Sequence, residues 1–403
     1  MKPSANTFKT IGLYGIYGLY NFGCEAIVRG TYQMLKSVYP HSRIVYFSYH
    51  YEYDKEVLAD LEIEVVQIRT RRSLPLKCVN KFLQIIGCEK RIFSFDYKKM
   101  INSVDCFFSI GGDIYTIAQR LLQKKRYPYY NSLVDFCERC FALGKDVYVY
   151  GASVGPFGAY PKAVQYYRHH LAKYQKIICR EEKSVQYLRA LGLTNTAFMP
   201  DPAFIVKGPI APTQEKKYIG LNLSPLSLQE LYGRSARQQI KPLAEMVEKL
   251  CETFSQDILL LPHVLAKNPL DNDLHFMTLL KDAVDEKYRG RLKIANYHKG
   301  FLGIKQEMYQ CEIVIAARMH CAVNALTENI PALFLSYSQK SRGMAQYVYG
   351  HEKWVLPLQQ APLKLPALAR EMLGQKESVA AFLKERNRQI EQDYRKGCEE
   401  MLK

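Results

Sequence analysis

Short apolar runs alternate with amphipathic stretches along nearly the whole chain, and this alternation constrains the fold more than any other feature. The apolar runs have the length of buried strands, and the stretches between them repeat apolar residues at helical spacing. Parallel strands need crossover connections, so this order predicts parallel sheets covered by helices. Because 403 residues exceed what one hydrophobic core usually holds, we expect an α/β protein with two such domains.

The alternation predicts individual elements in both halves of the chain. The predicted strands span residues 10–14, 43–47, 104–110, 146–150, 176–179, 218–222, 257–261, 312–316 and 332–335. The predicted helices span residues 24–38, 129–143, 161–174, 182–191, 236–253, 271–283, 320–328 and 339–348. Each half therefore has the strand–helix order of a Rossmann-like domain.

A proline-rich segment, residues 200–217, separates the two halves. It contains Pro200, Pro202, Pro209 and Pro212. Proline is excluded from regular helices and central strands, so we place the domain boundary in this segment. The predicted organisation is an N-terminal domain of residues 1–205, a C-terminal domain of residues 206–376 and a polar terminal helix of residues 377–403.

The chain is strongly basic, with 56 Lys and Arg residues against 39 Asp and Glu residues and a net charge of +17. A positive field attracts phosphorylated substrates, nucleic acid or an acidic membrane surface. The sequence has no RNA-binding aromatic signature and no recognition helix, so nucleic acid is not an expected partner. No apolar signal core begins the chain and no apolar run could span a bilayer, which predicts a cytoplasmic protein.

Eleven cysteines are present, without the spacing of a disulfide framework. Most lie in apolar or helical stretches, where a free thiol behaves as a small hydrophobic side chain. Cys137 and Cys140 form a C-x-x-C pair in a predicted helix, but no second pair accompanies it. A zinc or redox role is therefore the less favoured interpretation. No other cluster has metal-ligand spacing, and we expect neither a metal nor a cofactor.

Glycine-rich or polar segments follow five predicted strands, at the edge where doubly wound sheets bind ligands. In the first segment, residues 15–23, glycines precede and follow Asn21, and Glu25 then opens a helix. A binding loop and a simple tight turn explain this segment equally well. The second segment, residues 109–113, ends at Asp113. That carboxylate can accept a hydrogen bond from a sugar hydroxyl, or it can cap a helix.

The third and fourth segments carry Ser153 and Arg180. Ser153 lies in a rigid turn without the G-x-S-x-G pattern, which favours a binding loop over a nucleophile elbow. Arg180 directly follows a buried strand, where its planar guanidinium can bind two oxygens of a phosphate or carboxylate. A structural ion pair with Glu181 or Glu182 is the alternative for this arginine.

The fifth segment combines Arg318 with His320 between a buried strand and a helix. Alternate residues of an extended segment point to one side, so this pair places an anion-binding group beside a titratable acid or base. Lys340, downstream, is a further candidate ligand for an anion. His263 lies two residues after the predicted strand 257–261, in Leu261-Pro262-His263, and either a catalytic or a structural role is open for it.

These motifs occur in an order that resembles the polysaccharide pyruvyl transferase family. The resemblance extends from about residue 12 to residue 350. The matching stretches are N-F-G-C-E-A-I, S-I-G-G-D, G-A-S-V-G-P-F, C-R-E-E-K-S, D-P-A-F, R-M-H and P-A-L-F-L-S-Y-S-Q-K-S-R-G. The resemblance implies a fold like that of GT-B glycosyltransferases, with the acceptor on the N-terminal domain, the donor on the C-terminal domain and the active site in the cleft between them.

The resemblance also implies a reaction, the transfer of pyruvate from phosphoenolpyruvate to a sugar as a cyclic ketal. In the family, arginines of the R-E-x-x-S and R-x-H motifs hold the donor and the histidine acts in catalysis, which falls here on Arg180, Arg318 and His320. Lys340 is a third candidate for the donor. The candidates for contact with the saccharide acceptor are Asn21, Glu25, Asp113, Ser153 and His263, and among these Asp113, Glu25 or His263 could serve as the base. The scheme requires no metal.

Two other functions are compatible with parts of this sequence. A nucleotide-sugar glycosyltransferase would share the architecture, but such enzymes generally hold the ribose with a carboxylate, and none is apparent near residues 312–328. A non-enzymatic adaptor for nucleic acid or membrane would explain only the net charge of +17.

The segment of residues 68–91 predicts a membrane contact. It contains seven Lys or Arg residues and one acidic residue, and residues 77–86 are amphipathic if helical. A saccharide acceptor linked to undecaprenyl diphosphate would bring a family member to the anionic inner leaflet, as a peripheral protein. A solvated surface helix is the alternative. The basic residues concerned are Arg69, Arg71, Arg72 and Lys77, with a second cluster at Arg120, Lys124, Lys125 and Arg126.

Overall fold

The chain forms two compact units in a computed structural model that describes residues 8–69, 74–86, 88, 91–93, 97–209, 216–233, 236–337 and 339–401. Unit 1 comprises Met1–Leu19, Ile27–Pro202 and Asp393–Lys403, and unit 2 comprises Tyr20–Ala26 and Ala203–Gln392. Pro212, in the predicted boundary segment, lies outside the described residues. The limits predicted above for the domains stay predictions.

The strands of unit 1 form one seven-stranded parallel sheet. They are β1 (Thr10–Tyr14), β2 (Arg43–Ser48), β3 (Ile63–Gln67), β4 (Cys106–Ile110), β5 (Asp146–Ala152), β6 (Lys176–Cys179) and β7 (Thr196–Phe198). The strand order is β3-β2-β1-β4-β5-β6-β7. The order reverses between β1 and β4, and such a reversal opens a crevice at the carboxyl ends of the strands.

The strands of unit 2 form a six-stranded parallel sheet with the same kind of reversal. They are β8 (Tyr218–Asn222), β9 (Asp257–Leu260), β10 (Leu292–Ile294), β11 (Cys311–Ala316), β12 (Ala332–Ser336) and β13 (Val355–Pro357). The order is β10-β9-β8-β11-β12-β13, so the reversal falls between β8 and β11. Every residue of these two strands is buried, as expected where helices cover both faces of a parallel sheet.

Helices connect the strands throughout the described chain. They are α1 (Phe22–Val38), α2 (Tyr51–Val57), α3 (Leu74–Ile85), α4 (Tyr97–Asn102), α5 (Ser132–Ala142), α6 (Pro161–Leu171), α7 (Glu182–Ala190), α8 (Pro225–Tyr232), α9 (Ile240–Thr253), α10 (Asp273–Ala283), α11 (Glu286–Arg289), α12 (Gly300–Met308), α13 (Met319–Leu326), α14 (Gln339–Tyr349), α15 (Ala361–Gly374) and α16 (Lys376–Met401). Short 3₁₀ turns occur at Gln119–Leu121, Pro202–Ile205, Ala236–Gln239, Pro269–Asp271 and Leu358–Gln360. None of the described helices is both long and apolar enough to cross a membrane.

The predicted α/β class with two Rossmann-like sheets is confirmed. The differences lie at element ends, at sheet edges and in helices that the sequence did not predict, which are α2, α4, α8, α11, α12 and α15. The predicted helix 129–143 was too long, because the Asn131 side chain accepts a hydrogen bond from the Val134 N–H at 3.0 Å and caps α5 one residue before its start. The strand predicted at 104–110 begins two residues later, at Cys106. The strands that the sequence missed, β3, β7, β10 and β13, are the edge strands of the two sheets, and all of them except β3 are only three residues long.

Candidate functional site

Asn222 ends β8 at the strand reversal of unit 2, and it organises the surrounding backbone. This residue is fully buried. Its side-chain oxygen accepts a hydrogen bond from the Arg318 N–H at 2.8 Å. Its amide nitrogen donates to the Leu261 carbonyl at 2.8 Å and to Asp273 Oδ2 at 3.3 Å. One amide therefore connects the ends of β8, β9 and β11, and it fixes the backbone from which Arg318 projects.

The Arg318 guanidinium is held by two carboxylates. Nε and Nη2 donate to Asp273 Oδ1 at 3.2 and 2.9 Å, and Nη2 also donates to Asp271 Oδ1 at 2.5 Å. The remaining nitrogen, Nη1, makes no hydrogen bond or ion pair with any residue that the structure describes. Burial alone would lower the pKa of Arg318, but Asp273 and Asp271 outweigh it and raise the pKa above its ordinary value. The side chain is a fixed cation with donors left for an anion.

Asp273 connects Arg318 to His263. The carboxylate is fully buried, and its Oδ2 accepts a hydrogen bond from the His263 N–H at 3.1 Å. Burial raises the pKa of the Asp273 carboxyl, and the Arg318 charge and the hydrogen bonds oppose that rise. These contacts correct the sequence-based statement that no carboxylate lies near residues 312–328, because Asp271 and Asp273 are brought there from 47 and 45 residues upstream of Arg318.

The His263 ring is buried, with only 1% of the residue exposed, and both of its nitrogens lack a hydrogen-bond partner in the described chain. The rings of Phe22 and Phe301 pack edge-on against it, with centroids 5.6 and 6.2 Å away. Burial lowers the pKa of His263 well below its ordinary value, and the charges of His320, Arg318 and Lys305 add to the effect. This lowering of the pKa favours the neutral imidazole, in which one ring nitrogen carries a lone pair.

The opening motif, Tyr20–Ala26, packs on unit 2 next to these histidines. The Phe22 N–H donates to the His263 carbonyl at 3.0 Å, and the bridge between Asn21 and Val264 is antiparallel. Gly23 faces His320, and a Cβ at this glycine would lie only 2.5 Å from Nδ1 of the imidazole. Glycine is thus required here by the close approach of the histidine.

Glu25 is a buried cap in this structure. Its Oε2 accepts a hydrogen bond from the Phe301 N–H at 2.7 Å, at the first turn of α12. The carboxylate also lies directly over Gly300, where a Cβ would come within 2.4 Å of Oε2. Glu25 therefore stabilises the start of a helix through its negative charge, and it anchors the opening motif.

Lys305, which the sequence analysis did not single out, is a buried cation close to His263. Its Nζ donates to Glu328 Oε1 at 2.9 Å and to the hydroxyl of Thr327. Burial lowers the pKa of Lys305 to about 8, against the opposing charge of Glu328. The lysine lies on α12, one turn after the Glu25 cap, so the packing of this helix sets its position.

Arg180 follows β6 in unit 1, and its side chain is almost completely enclosed. Nη1 donates to Asp201 Oδ2 at 2.8 Å, Nε to the Ser153 hydroxyl at 3.0 Å and Nη2 to Asp113 Oδ1 at 3.3 Å. Only 1% of the Arg180 side chain is exposed, and Asp201 is fully buried. Burial alone would lower the pKa of Arg180, but the carboxylates of Asp201, Asp113 and Glu181 raise it. The ion-pair alternative weighed above is thus present, mainly with Asp201 and Asp113 rather than Glu181 or Glu182.

The other predicted site residues of unit 1 surround this arginine. The Ser153 hydroxyl donates to Glu181 Oε1 at 2.7 Å, and its backbone N–H donates to the Gly112 carbonyl at 2.7 Å. Gly112 lies against the guanidinium, where a Cβ would be 2.8 Å from Nη1 of Arg180. Asp113 is the most exposed carboxylate of the cluster. The segment of residues 109–113 and the turn that carries Ser153 therefore meet at Arg180.

Replacing Arg180 by alanine is expected to lower the free energy of unfolding by about 3–5 kcal/mol, because the buried carboxylate of Asp201 would lose the opposite charge of its ion pair. Urea denaturation of the full chain, followed by circular dichroism, measures this change. The matched control is Arg189→Ala, an exposed arginine of α7 that should change stability by at most about 0.5 kcal/mol. Equal stability of Arg180→Ala and wild type would contradict the ion-pair network described for this residue.

The structure brings the predicted residues together in two groups. Unit 2 holds Asn21, Glu25, His263, Arg318 and His320, and unit 1 holds Asp113, Ser153 and Arg180. Lys340 lies half-buried in the first turn of α14, and its neighbour Ser338 is outside the described residues. Roles for all of these residues remain predictions, as does the cleft between domains. Sequence reasoning missed Asn222, Asp201, Asp271, Asp273 and Lys305, although Asn222 carries the signal of a polar residue at a strand end.

A metal site was not predicted, and the described residues contain no group of three His, Cys, Asp or Glu side chains arranged to hold one. Cys137 and Cys140 are both fully buried in α5. Burial raises the pKa of the Cys137 thiol to about 12, which leaves it protonated and unreactive at neutral pH.

Solved structures with the same architecture include a UDP-glucose complex, a UDP-GlcNAc 2-epimerase and a glucosyltransferase. The Anabaena protein HepE, solved in complex with UDP-glucose, is 11% identical with a TM-score of 0.58, and the match covers 96% of this chain and 95% of HepE. The UDP-GlcNAc 2-epimerase of Neisseria meningitidis is 11% identical with a TM-score of 0.54, and the match covers 92% of this chain and 94% of the epimerase. A UDP-glucose:anthocyanidin 3-O-glucosyltransferase is 9% identical with a TM-score of 0.52, and the match covers 98% of this chain and 99% of the glucosyltransferase. These similarities confirm the GT-B-like fold.

The sequence motifs identify the family. No curated protein sequence matches the chain. The model of the polysaccharide pyruvyl transferase family matches residues 21–339, which include the opening motif, the Arg180 segment and the Arg318–His320 segment. The chain therefore belongs to the polysaccharide pyruvyl transferase family, and it is a pyruvyltransferase enzyme of polysaccharide synthesis.

Proposed function

We propose that the enzyme transfers pyruvate from phosphoenolpyruvate to two hydroxyls of one sugar, forming a cyclic ketal and releasing phosphate. The observation that carries the proposal is the cluster at the strand reversal of unit 2, in a chain of this family. There Arg318 is fixed by Asp271 and Asp273, its Nη1 has no partner among the described residues, and the imidazole of His263 lies in the same cluster.

Phosphoenolpyruvate carries a phosphate and a carboxylate, so its site needs several cations. We assign Arg318 and Lys340 in unit 2 and Arg180 in unit 1 to this donor. The Nη1 group of Arg318 supports its assignment, since the pairs with Asp273 and Asp271 orient the guanidinium before any ligand arrives. Pre-orientation reduces the conformational entropy that an anion would otherwise cost on binding.

The chemistry requires one proton donor and at least one proton acceptor. Protonation of the enol CH2 converts it to a methyl group and makes C2 electrophilic, and the first sugar hydroxyl then adds to C2. The C2–O bond to phosphate breaks next, and the second hydroxyl closes the ring on C2. Over the whole reaction, one of the two hydroxyl protons is balanced by the proton added to the methyl group, and the other leaves with the released phosphate. No oxidant, metal or cofactor enters this balance, and we propose none.

We assign the proton donor to His320 and the first proton acceptor to His263. His320 lies in the first turn of α13, two residues after Arg318. Among the three candidates for the base, Glu25 accepts a backbone hydrogen bond as a helix cap and Asp113 pairs with Arg180. His263 differs because burial keeps it neutral and its ring nitrogens have no partner in the described chain. That difference favours His263 as the base.

The acceptor is a saccharide, and we propose a polysaccharide repeat unit linked to undecaprenyl diphosphate. The candidate contacts to this acceptor are Asn21, Glu25, Asp113, Ser153 and His263. Of these, Glu25 already caps a helix and Asp113 already pairs with Arg180, so the other residues would make the contacts to sugar hydroxyls. A lipid-linked acceptor would place the enzyme at the cytoplasmic face of the membrane as a peripheral protein.

A nucleotide-sugar glycosyltransferase is the second candidate, because structures of the same fold are complexes with UDP or UDP-sugars. The two functions differ in the donor that they consume. The purified enzyme is incubated with candidate glycan acceptors and either phosphoenolpyruvate or radiolabelled UDP-sugars. We expect acceptor-dependent phosphate release from phosphoenolpyruvate and no sugar transfer. Transfer of the radiolabelled sugar without phosphate release would establish the glycosyltransferase instead.

A further inference from the structure

Helix α3 exposes a concentration of large apolar side chains. Of the eleven large hydrophobic residues that are exposed in the described chain, five lie between residues 79 and 92. They are Val79, Phe82, Ile85, Ile86 and Ile92, with exposed fractions of 41%, 60%, 75%, 58% and 46%. Soluble monomers seldom expose such a contiguous apolar patch unless it binds something.

The apolar side chains share one side of the helix. Successive helical residues are turned by about 100°, so Val79, Phe82, Ile85 and Ile86 cover an arc of about 120°. Leu76, Asn80 and Leu83 lie on the adjoining side, about 40–100° from Val79, and are half-buried. The helix therefore exposes an apolar arc beside a half-buried side.

The segment after the helix is fixed to α3 on the side away from the apolar arc. The Asn80 amide donates to the Ile92 carbonyl at 2.8 Å, and the Ile92 N–H donates back to Asn80 Oδ1 at 2.8 Å. This reciprocal pair holds residue 92 against the Asn80 side of the helix. The apolar arc itself is therefore formed by Val79, Phe82, Ile85 and Ile86.

Positive charge borders the apolar face. Lys77 and Lys81 are exposed and lie one helical turn apart, beside Ile85 on the helix. Residues 74–88 contain no acidic residue, and Arg69 just before the helix is also exposed. Arg71 and Arg72, which the sequence-based prediction included, lie outside the described residues. An apolar arc flanked by lysines is the pattern of a helix that lies in a membrane interface.

We propose that the exposed face of α3 and its last turn, formed by Val79, Phe82, Ile85 and Ile86 with Lys77 and Lys81, docks on an anionic lipid bilayer. The apolar side chains enter the boundary between headgroups and acyl chains, and the lysines contact lipid phosphates. Charge favours lipid over a second copy of this chain, because each copy carries a net charge of +17 and brings lysines to the same patch. The inference concerns binding and does not depend on the proposed reaction.

Sedimentation with vesicles tests the docking surface. Wild type is expected to bind phosphatidylcholine vesicles that contain phosphatidylglycerol, and to bind pure phosphatidylcholine at least about tenfold more weakly. The double variants Phe82→Ser with Ile85→Ser, and Lys77→Glu with Lys81→Glu, should each weaken binding to the anionic vesicles by about tenfold or more. The control is Leu363→Ser with Lys364→Glu, an exposed pair on α15 that should bind within about twofold of wild type.

Three outcomes would overturn the proposal. Wild type that fails to sediment with the anionic vesicles has no such surface, and the same holds if both α3 variants bind like wild type. A wild-type dimer that Phe82→Ser with Ile85→Ser converts to a monomer, measured by analytical ultracentrifugation, would assign the face to a second copy. Since substrate is absent from these experiments, none of these outcomes affects the proposed pyruvyl transfer.

Discussion

His320→Gln is expected to lower turnover by about 10²–10⁴-fold and to leave the chain folded. Glutamine keeps hydrogen-bonding groups near the imidazole position, but it cannot donate a proton as an acid does. The histidine lies in the first turn of α13 against Gly23, so the change removes the titratable group without opening the helix. Turnover is measured as phosphate release from phosphoenolpyruvate in the presence of the acceptor.

The control for this variant is His41→Gln, which alters an exposed histidine of unit 1 and should leave turnover unchanged. Thermal unfolding of both variants shows whether either change affects the fold. A folded His320→Gln enzyme with near-normal turnover would reduce His320 to a positioning or structural role, and the assignment of the proton donor would be wrong.

Arg318→Ala is expected to cost about 2–4 kcal/mol of transition-state stabilisation, which lowers kcat/KM by about 30- to 1,000-fold. Arg318→Lys should also be poor. An ammonium can pair with Asp273, but it cannot contact Asp271 and a substrate oxygen at the same time with the fork geometry of a guanidinium. Steady-state kinetics with phosphoenolpyruvate as the varied substrate measure both effects.

Arg318→Ala also leaves the buried carboxylate of Asp273 without its ion-pair partner, which destabilises the fold. This loss of stability must be distinguished from a loss of donor binding. The double variant Arg318→Ala with Asp273→Asn removes that charge. We expect it to regain thermal stability while kcat/KM stays low. Wild-type efficiency in either alanine variant would show that Arg318 does not hold the donor, and recovery of activity in the double variant would make its role structural.

The central strands could be read from the sequence because they are continuous apolar runs. Residues 218–222 and 176–179 were predicted to the residue, since a strand buried on both faces has no polar interruption. The edge strand β10, Leu292–Ile294, is three residues long and its middle residue, Lys293, is exposed. Nothing in so short a segment distinguishes a strand from a loop, and only its pairing with β9 defines it.

The candidate site was predictable only in part, for a related reason. Arg318 and His320 follow a buried strand, and their place in the sequence already puts them at a ligand-binding edge. Asp273 opens α10, 45 residues away, and reads in the sequence as an ordinary acidic residue at a helix start. Its pairing with Arg318 arises from the packing of two crossover connections. The full burial of Arg180 was likewise not predictable, since its partner Asp201 lies beyond β7.

The central claim is that pyruvate reaches the sugar as a ketal, and product analysis in D2O tests it most directly. Mass spectrometry follows the acceptor after incubation with the enzyme and phosphoenolpyruvate. We expect a gain equal to pyruvate less water, with one deuterium in the new methyl group, because the enol CH2 is protonated once per turnover. An enolpyruvyl ether would have the same mass gain, but proton NMR would show a vinyl CH2 in place of the methyl group. A vinyl product, an unlabelled methyl group, or no addition with any glycan acceptor would contradict the proposed reaction.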